Sequence, residues 1–248
     1  MDLVERPPGP IAVRHPWEQA RRHLVSRVLR DATDRHARSP VTALDIGSGD
    51  AWLATALAGD LRLQSVHAFD IAYTDEDCRE LRTDVVSPTR TWPNGRHDLV
   101  LLLDVIEHVA DDVELLRSAR DRVSDDGIVM VTAPAWPRLA TGHDRSLGHH
   151  RRYTPARLRA ALVDAGLREL QLGGAFLSLL PIRAAHRILE RAGRPREQSN
   201  LGQWSCGPVA TNALSTALTW DARCGARLTT RNAFLPGLTV WATAIPAA

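Results

Sequence analysis

The sequence predicts an α/β protein with a doubly wound, mostly parallel sheet, and three observations carry that expectation. Short aliphatic runs at Val41 to Ile46, Ser65 to Phe69, Asp98 to Leu103 and Gly127 to Thr132 have the length and branched content of strands buried on both faces. Helical segments separate them at the intervals of repeated strand–helix units. A glycine-rich turn, Leu44 to Gly49, follows the first run and opens a helix, the usual place for a ligand-binding loop in such sheets.

Each element has its own signal. Trp17, Ala20, Leu24, Val28 and Leu29 recur at helical spacing with arginines opposite, so residues 16 to 33 read as an amphipathic helix. Asp50 to Ala58 and Asp111 to Val123 read as helices, the second stopped by the turn Asp125-Asp126-Gly127. Thr154 caps a helix with Pro155 in its first turn, Leu158, Ala161, Leu162 and Ala165 on one stripe and Gly166 as its stop. Leu167 to Leu172 and Leu238 to Ile245 read as two further strands. Between them Phe176 to Ala192 and Pro208 to Arg223 look helical, with Arg183, Arg187 and Arg191 four apart. That long excursion is either core packing or a lid over an apolar or amphiphilic substrate.

Composition bounds the function. The chain has 248 residues, 44% of them apolar, enough to bury one core. With 31 basic and 29 acidic residues it lacks the polyelectrolyte surface that holds nucleic acid. Every basic residue is arginine, which removes Schiff-base, lysine-base and phosphate-loop lysine chemistry. Cys78, Cys206 and Cys224 form no C-x-x-C pair, so a zinc clamp is not expected and reduced thiols are. The opening MDLVERPPGP has no apolar stretch of a secretory signal, no run approaches the length of a membrane span, and a cytoplasmic location is expected.

The turn Leu44-Asp45-Ile46-Gly47-Ser48-Gly49 departs from a dinucleotide fingerprint twice. Trp52 stands where the third glycine would be, and Asp45 precedes the first by two residues. A carboxylate there repels a diphosphate and attracts an ammonium, directly or through water, which selects an amino-acid nucleoside. Asp70 closes the next strand at the spacing where a carboxylate accepts hydrogen bonds from ribose, a helix cap being its alternative role.

On these residues, together with Asp98 to Val109 and its D-x-x-E-H pattern at Asp104, Glu107 and His108, the chain resembles the class I S-adenosylmethionine-dependent methyltransferases of the small-molecule type, over roughly Val41 to Leu172. The resemblance implies a Rossmann-like parallel sheet with a terminal antiparallel strand, S-adenosylmethionine as cofactor, and methyl transfer to a small molecule. By position it implies that Asp45, Gly47 and Gly49 surround the methionine part and Asp70 the ribose. Asp84 would receive the adenine amino group, Val85 would lie against the ring, and Asp104 with Val105 would line the sulfonium side. Asp50-Ala51 replaces the small third position of the loop. Some quinone O-methyltransferases that the D-x-x-E-H stretch looks like hold a divalent cation there. The alternative, that Glu107 and His108 only fix the loop, is preferred, and no metal ligand is assigned.

The densest chemistry is Thr141 to Tyr153, H-D-x-x-x-G-H-x-R-R-Y, after the strand ending near Pro134. Methyl transfer is an in-line displacement that needs alignment and dryness. A base is optional, and for a hydroxyl acceptor a histidine is the natural one. His143 and His149 are the candidates. Asp144 is adjacent to His143, so an Asp-oriented pair with it is not assumed. Arg151 and Arg152 either grip an anionic substrate group or pair with acids of the loop, with Tyr153 packing ahead of the next helix. The expected organisation is a helical arm at 1–36, a donor-binding core at 37–172, and a helical cover with the final strand at 173–248. The expected reaction is O-methylation by a monomer or homodimer. A nicotinamide-dependent oxidoreductase and a non-catalytic binding protein of the same fold are the rivals.

Overall fold

The computed structural model describes residues 14–35, 39–192, 207–229 and 234–247. Seven strands form one sheet: β1 (Thr42–Ile46), β2 (Ser65–Phe69), β3 (Val86–Thr89), β4 (His97–Leu103), β5 (Val123–Pro134), β6 (Leu167–Ala175) and β7 (Thr239–Pro246). Their order is β3-β2-β1-β4-β5-β7-β6. The first five pair in parallel, with Ile46 opposite Phe69 and Leu102. β7 runs antiparallel to both neighbours, with Trp241 opposite Thr132 and Gly173. This is the expected Rossmann-like sheet with its antiparallel terminal strand.

The helices are α1 (Pro16–Arg35), α2 (Trp52–Leu61), α3 (Asp75–Glu80), α4 (Asp112–Arg120), α5 (Gly142–Ser146), α6 (Pro155–Asp164), α7 (Leu180–Arg191) and α8 (Pro208–Thr229). The alternation of β4 sorts them onto two faces. Leu99 and Leu101 join Leu24, Leu29, Leu57, Leu218 and Trp241 under α1, α2 and α8. Val100 and Leu102 join Leu116, Leu158 and Leu162 under α4 and α6. Each such buried side chain contributes about 1.5–3 kcal/mol.

Sequence expectation and structure differ at identifiable places. α4 ends at Arg120, and Asp125 to Gly127 lie inside β5, where the register with β4 slips between His97 and Leu99. A Cβ on Gly127 would come within 2.9 Å of the Asp98 carbonyl oxygen, so the glycine permits close strand approach and does not stop a helix. α3 and β3 have no counterpart in the sequence reading. β3 is an edge strand that carries Pro88, which a central strand would not tolerate. Thr154 caps α6 as expected, its hydroxyl accepting from the Arg157 amide at 3.2 Å. The cover divides in two: α8 buries Leu218, Ala222 and Ala226, whereas α7 buries no residue and leaves Ile182 and Ile188 about two-thirds exposed. Cys206 lies outside the described residues.

Candidate active site

The carboxyl ends of the strands are where an open α/β sheet presents its ligand crevice, and the backbone is most contorted there. Five non-glycine residues among those described adopt left-handed φ. Four of them, Ala51, Asp104, Trp136 and Phe176, follow β1, β4, β5 and β6, the fifth being the helix cap Arg62. Each such residue costs of order 1–2 kcal/mol, and such strain gathers where a site is shaped.

The first turn is built from backbone. Gly47 and Gly49 have φ of 70° and 56°. A Cβ on Gly47 would stand 2.6 Å from a Val105 methyl, so the loop after β1 and the loop after β4 touch only because Gly47 has none. The amides of Gly47 and Ser48 donate to the Phe69 carbonyl at 2.8 and 3.1 Å. Asp70 ties the turn to β2: its carboxylate accepts from the Gly49 amide at 3.0 Å and the Ala72 amide at 2.9 Å. It caps no helix; Thr74 caps α3.

Asp45 is 3% exposed and accepts from the Ser48 hydroxyl at 2.8 Å. Burial pushes its carboxyl up to about 6, opposed by that hydrogen bond and by Arg21. The buried Tyr73 ring brings its hydroxyl beside Ser48 among Asp45, Asp70 and Asp50, and burial raises its pKa. A carboxyl that is uncomfortable without a cation, at the foot of a left-handed glycine turn, fits the ammonium end of an amino-acid nucleoside and not a diphosphate.

Two arginines reach the site from α1 and from the segment before it: Arg21, which reads in the sequence only as part of the polar face of a helix, and Arg14, which precedes the helix. Arg14 pairs with Asp50 at 2.5 Å and lies over the Trp52 ring. Arg21, 7% exposed, contacts the Asp104 carboxylate at 2.9 Å and donates to the Leu103 carbonyl. The signal available in the sequence was Trp17, four residues before Arg21, whose ring the guanidinium also covers. Glu107 is 1% exposed; burial, reinforced by the Asp104 charge, pushes its carboxyl well above the usual carboxylate range. One of its oxygens has no hydrogen-bond partner.

The segment from Thr141 to Tyr153 folds around Asp144. This buried carboxylate accepts from Arg152 Nε at 2.7 Å, Arg183 at 2.5 Å and the Thr141 amide at 2.8 Å, and meets His149 Nδ1 at 3.3 Å. Burial opposes its ionisation, but the hydrogen bonds from His149 and Arg152 prevail and hold its pKa far below the usual range. The carboxylate that could orient a histidine therefore serves His149, five residues away, and not its neighbour His143. His143 is half-buried, and burial with the Arg183 charge lowers its pKa. His149 stands edge-on to His108 with ring centroids 4.5 Å apart, and its ligand atom, with those of Glu107 and His108, falls within 4.8 Å of the others. The orphan Glu107 oxygen gives that trio the donor set of a small cation site, which spacing within D-x-x-E-H alone could not reveal.

The other motif residues are structural. Arg151 pairs with Asp112 at 2.8 Å, Arg152 donates to the Ala135 carbonyl at 2.9 Å, and the fully buried Tyr153 hydroxyl donates to Asp112 at 2.5 Å. Asp84 and Val85, which the resemblance assigns to adenine, lie outside the β3 strand, at its amino end. β3 runs parallel to β2 with Val86 opposite Val66 and Thr89 opposite Phe69, so residues 84 and 85 sit at the amino end of β3, remote from Gly49 and Asp70. Asp84 is exposed there. At the correct end stand Thr89 and Thr91, their hydroxyl and backbone groups joined at 2.9 Å.

A methyltransferase-domain family profile matches residues 17–172, and the chain belongs to that family, the class I S-adenosylmethionine-dependent methyltransferases. Two curated relatives are similar to it, both ubiquinone biosynthesis O-methyltransferases. That of Paramagnetospirillum magneticum is 29% identical over 62% of this chain and 70% of its own length. That of Azorhizobium caulinodans is 29% identical over 73% and 81%. Among solved structures, the plantazolicin methyltransferase BpumL in complex with SAH shares the fold with a TM-score of 0.57 at 14% identity, covering 93% of this chain and 85% of that one.

Proposed function

We propose that this enzyme methylates an oxygen of a small-molecule acceptor, with His149 as the base. The observation that supports this most is the ionised Asp144 beside His149 Nδ1, on the segment that follows β5 at the sheet's carboxyl ends. An Asp144 that accepts from Nδ1–H leaves Nε2 as the proton acceptor. His143, held neutral by burial and Arg183, is the second candidate on the same segment. The names of the curated relatives support oxygen as the atom methylated.

The donor supplies an electrophilic methyl group on a sulfonium. In our reading Asp45 and the turn at Gly47 and Gly49 hold its amino-acid end, with Arg21 and Arg14 beside the carboxylate, and Asp70 accepts from the ribose. Thr89 to Thr91 take the adenine edge in place of Asp84 and Val85. Asp104, fixed by Arg21 and by the Thr132 hydroxyl at 3.1 Å, orients the wall beside the sulfonium. A divalent cation, if the enzyme uses one, would be held by Glu107, His108 and His149 and would acidify the acceptor hydroxyl. His149 cannot be both ligand and base through the same nitrogen, so the two roles exclude each other.

Arm, core and cover divide as 1–36, 37–172 and 173–248. The exposed Ile182 and Ile188 of α7 favour an apolar or amphiphilic acceptor, or the interface of a homodimer. The free thiols of Cys78 and Cys224 suit the cytoplasm. The test is an assay with methyl-labelled S-adenosylmethionine against catechols, phenols, carboxylic acids and amines. Labelled methyl ethers are expected, and products only from amines would overturn the assignment to oxygen.

A further inference from the structure

α7 faces the molecule the wrong way round for a packing helix. It buries no residue and leaves Ile182, Ile188 and Leu189 exposed. The stripe it turns inward is polar: Arg183, Arg187 and Glu190 follow one another at four and then three residues, and their side chains are less exposed than its isoleucines. Both ends of that stripe land on α5, the five-residue helix that carries His143. At one end Arg183 donates to Asp144 at 2.5 Å. At the other the Glu190 carboxylate accepts from the Gly142 amide at 2.5 Å and is braced by Arg187 at 3.0 Å. Gly142 makes that second contact possible, since a Cβ there would stand 2.9 Å from the same Glu190 oxygen. The clamp is itself anchored. The turn Leu177–Leu179, which leads into α7, donates its Leu177 and Ser178 amides to Asp221 of α8 at 3.0 and 2.7 Å, and α8 packs into the core through Leu218 and Ala222. The two oxygens of Asp144 divide its partners: Oδ2 takes Arg183 and the Thr141 amide, while Oδ1 takes Arg152 Nε and faces His149 Nδ1. Holding Oδ2 therefore fixes the plane of the carboxylate, and with it the direction from which Oδ1 meets the imidazole.

We propose that Arg183 and Glu190 are positioning residues for methyl transfer: from α7 they clamp α5 and Asp144, and so set where His143 and His149 stand beside the acceptor. The inference rests on the assignment of residues 141–153 to the acceptor side and adds to it the elements that hold that side in place. Both residues act through Asp144 and the Gly142 amide, not on the reacting atoms. Misplacing an aligned group by about 1 Å is enough to cost roughly a hundredfold in rate, so a clamp of this kind is read in kcat. The donor turn at Gly47 and Gly49 belongs to a different loop, and donor affinity is not expected to follow. A helix held by core packing would behave in the opposite way, its weakening lowering stability and donor affinity together.

The test compares the full-length wild type with Arg183→Met, which removes the charge and keeps the stem, Arg183→Lys, which keeps the charge, Glu190→Ala, and Glu190→Gln, which keeps an oxygen for the Gly142 amide. In nuclear magnetic resonance of the histidine ring nitrogens at fixed pH, the His143 and His149 signals should shift in Arg183→Met and Glu190→Ala and return towards the wild type in Arg183→Lys and Glu190→Gln. With methyl-labelled S-adenosylmethionine and a panel of catechols, phenols, carboxylic acids and amines, kcat should fall roughly tenfold in Arg183→Met and by less in Glu190→Ala, with the conservative variants restoring most of it. Affinity for S-adenosylhomocysteine, measured by calorimetry, should stay within about twofold throughout. Unmoved histidine signals overturn the clamp. So does a loss of kcat matched by an equal loss of S-adenosylhomocysteine affinity and by a lower melting temperature that lysine and glutamine do not restore. Wild-type turnover in Arg183→Met and Glu190→Ala while His149→Ala is slow overturns the clamp and leaves the acceptor-side assignment standing. Wild-type turnover in both His143→Ala and His149→Ala overturns that assignment, and the inference with it.

Discussion

The two halves of the methyl-transfer crevice are built in different ways. The donor half, around Gly47, Gly49 and Asp70, is made of backbone: left-handed glycines, amides turned onto the Phe69 carbonyl and a carboxylate that ties two loops. The half after β5 is made of side chains converging on Asp144 from α5, the loop at His149 and Arg152, and the cover helix α7. Backbone constraints leave a local sequence signature because few residues tolerate them. A side-chain hub leaves its residues in the sequence but not their pairing: Asp144, His149 and Arg152 share one motif, yet which of them meet, and that Arg183 joins them, is decided by proximity in space.

Breaking the backbone half should have the largest effect. Gly47→Ala sets a Cβ against Val105 in a left-handed conformation. It should abolish donor binding and cost about 2–3 kcal/mol of stability, measured by calorimetry and denaturant unfolding. Donor binding within threefold of the wild type would mean that the turn is not the donor site. Next, His149→Ala should lower kcat by about a hundredfold while leaving donor affinity unchanged, with His143→Ala milder. Exhaustive chelation sharpens this: unchanged turnover supports His149 as base, and activity lost to the chelator and restored by a divalent ion transfers His149 to the ligand role.

The pH response separates the halves again. Asp45 has a folded pKa of about 6, above the unfolded value near 3.9. The folded state therefore holds the extra proton between those values, and stability falls as pH rises from about 4 to about 6, by up to about 3 kcal/mol. Asp45→Asn should remove that penalty and raise the melting temperature at pH 8 but not at pH 4. Donor affinity should run the opposite way, strengthening from pH 5 to pH 7 as Asp45 ionises against the ammonium, and Asp45→Asn should flatten the profile. A pH-independent affinity in the wild type would detach Asp45 from the ammonium. The smallest effect concerns Ala51, which holds φ of 54° where the loop has lost its third glycine. Ala51→Gly should stabilise by at most about 1 kcal/mol and leave kcat unchanged.

What the sequence made legible follows the same division. The parallel strands, the glycine turn and the Thr154 cap each rest on local chemistry and appear where the sequence places them. β3 was not legible because Val86 to Thr89 is a four-residue edge strand interrupted by Pro88. Without that strand the resemblance alone assigns adenine to Asp84, and only the topology shows that Asp84 precedes β3. The Asp144 and His149 pairing spans a loop with no periodicity, and Arg21 looked like an ordinary polar-face residue until α1 was docked against Asp104.

The most direct test of the central claim, that a sulfonium amino-acid nucleoside binds at the turn after β1, is calorimetric titration of the chain with S-adenosylhomocysteine and with NAD. Micromolar binding of the first, equivalent to about 8 kcal/mol and lost in Gly47→Ala, is expected, and none of the second. Binding of NAD at that turn, with S-adenosylhomocysteine inert, would contradict it.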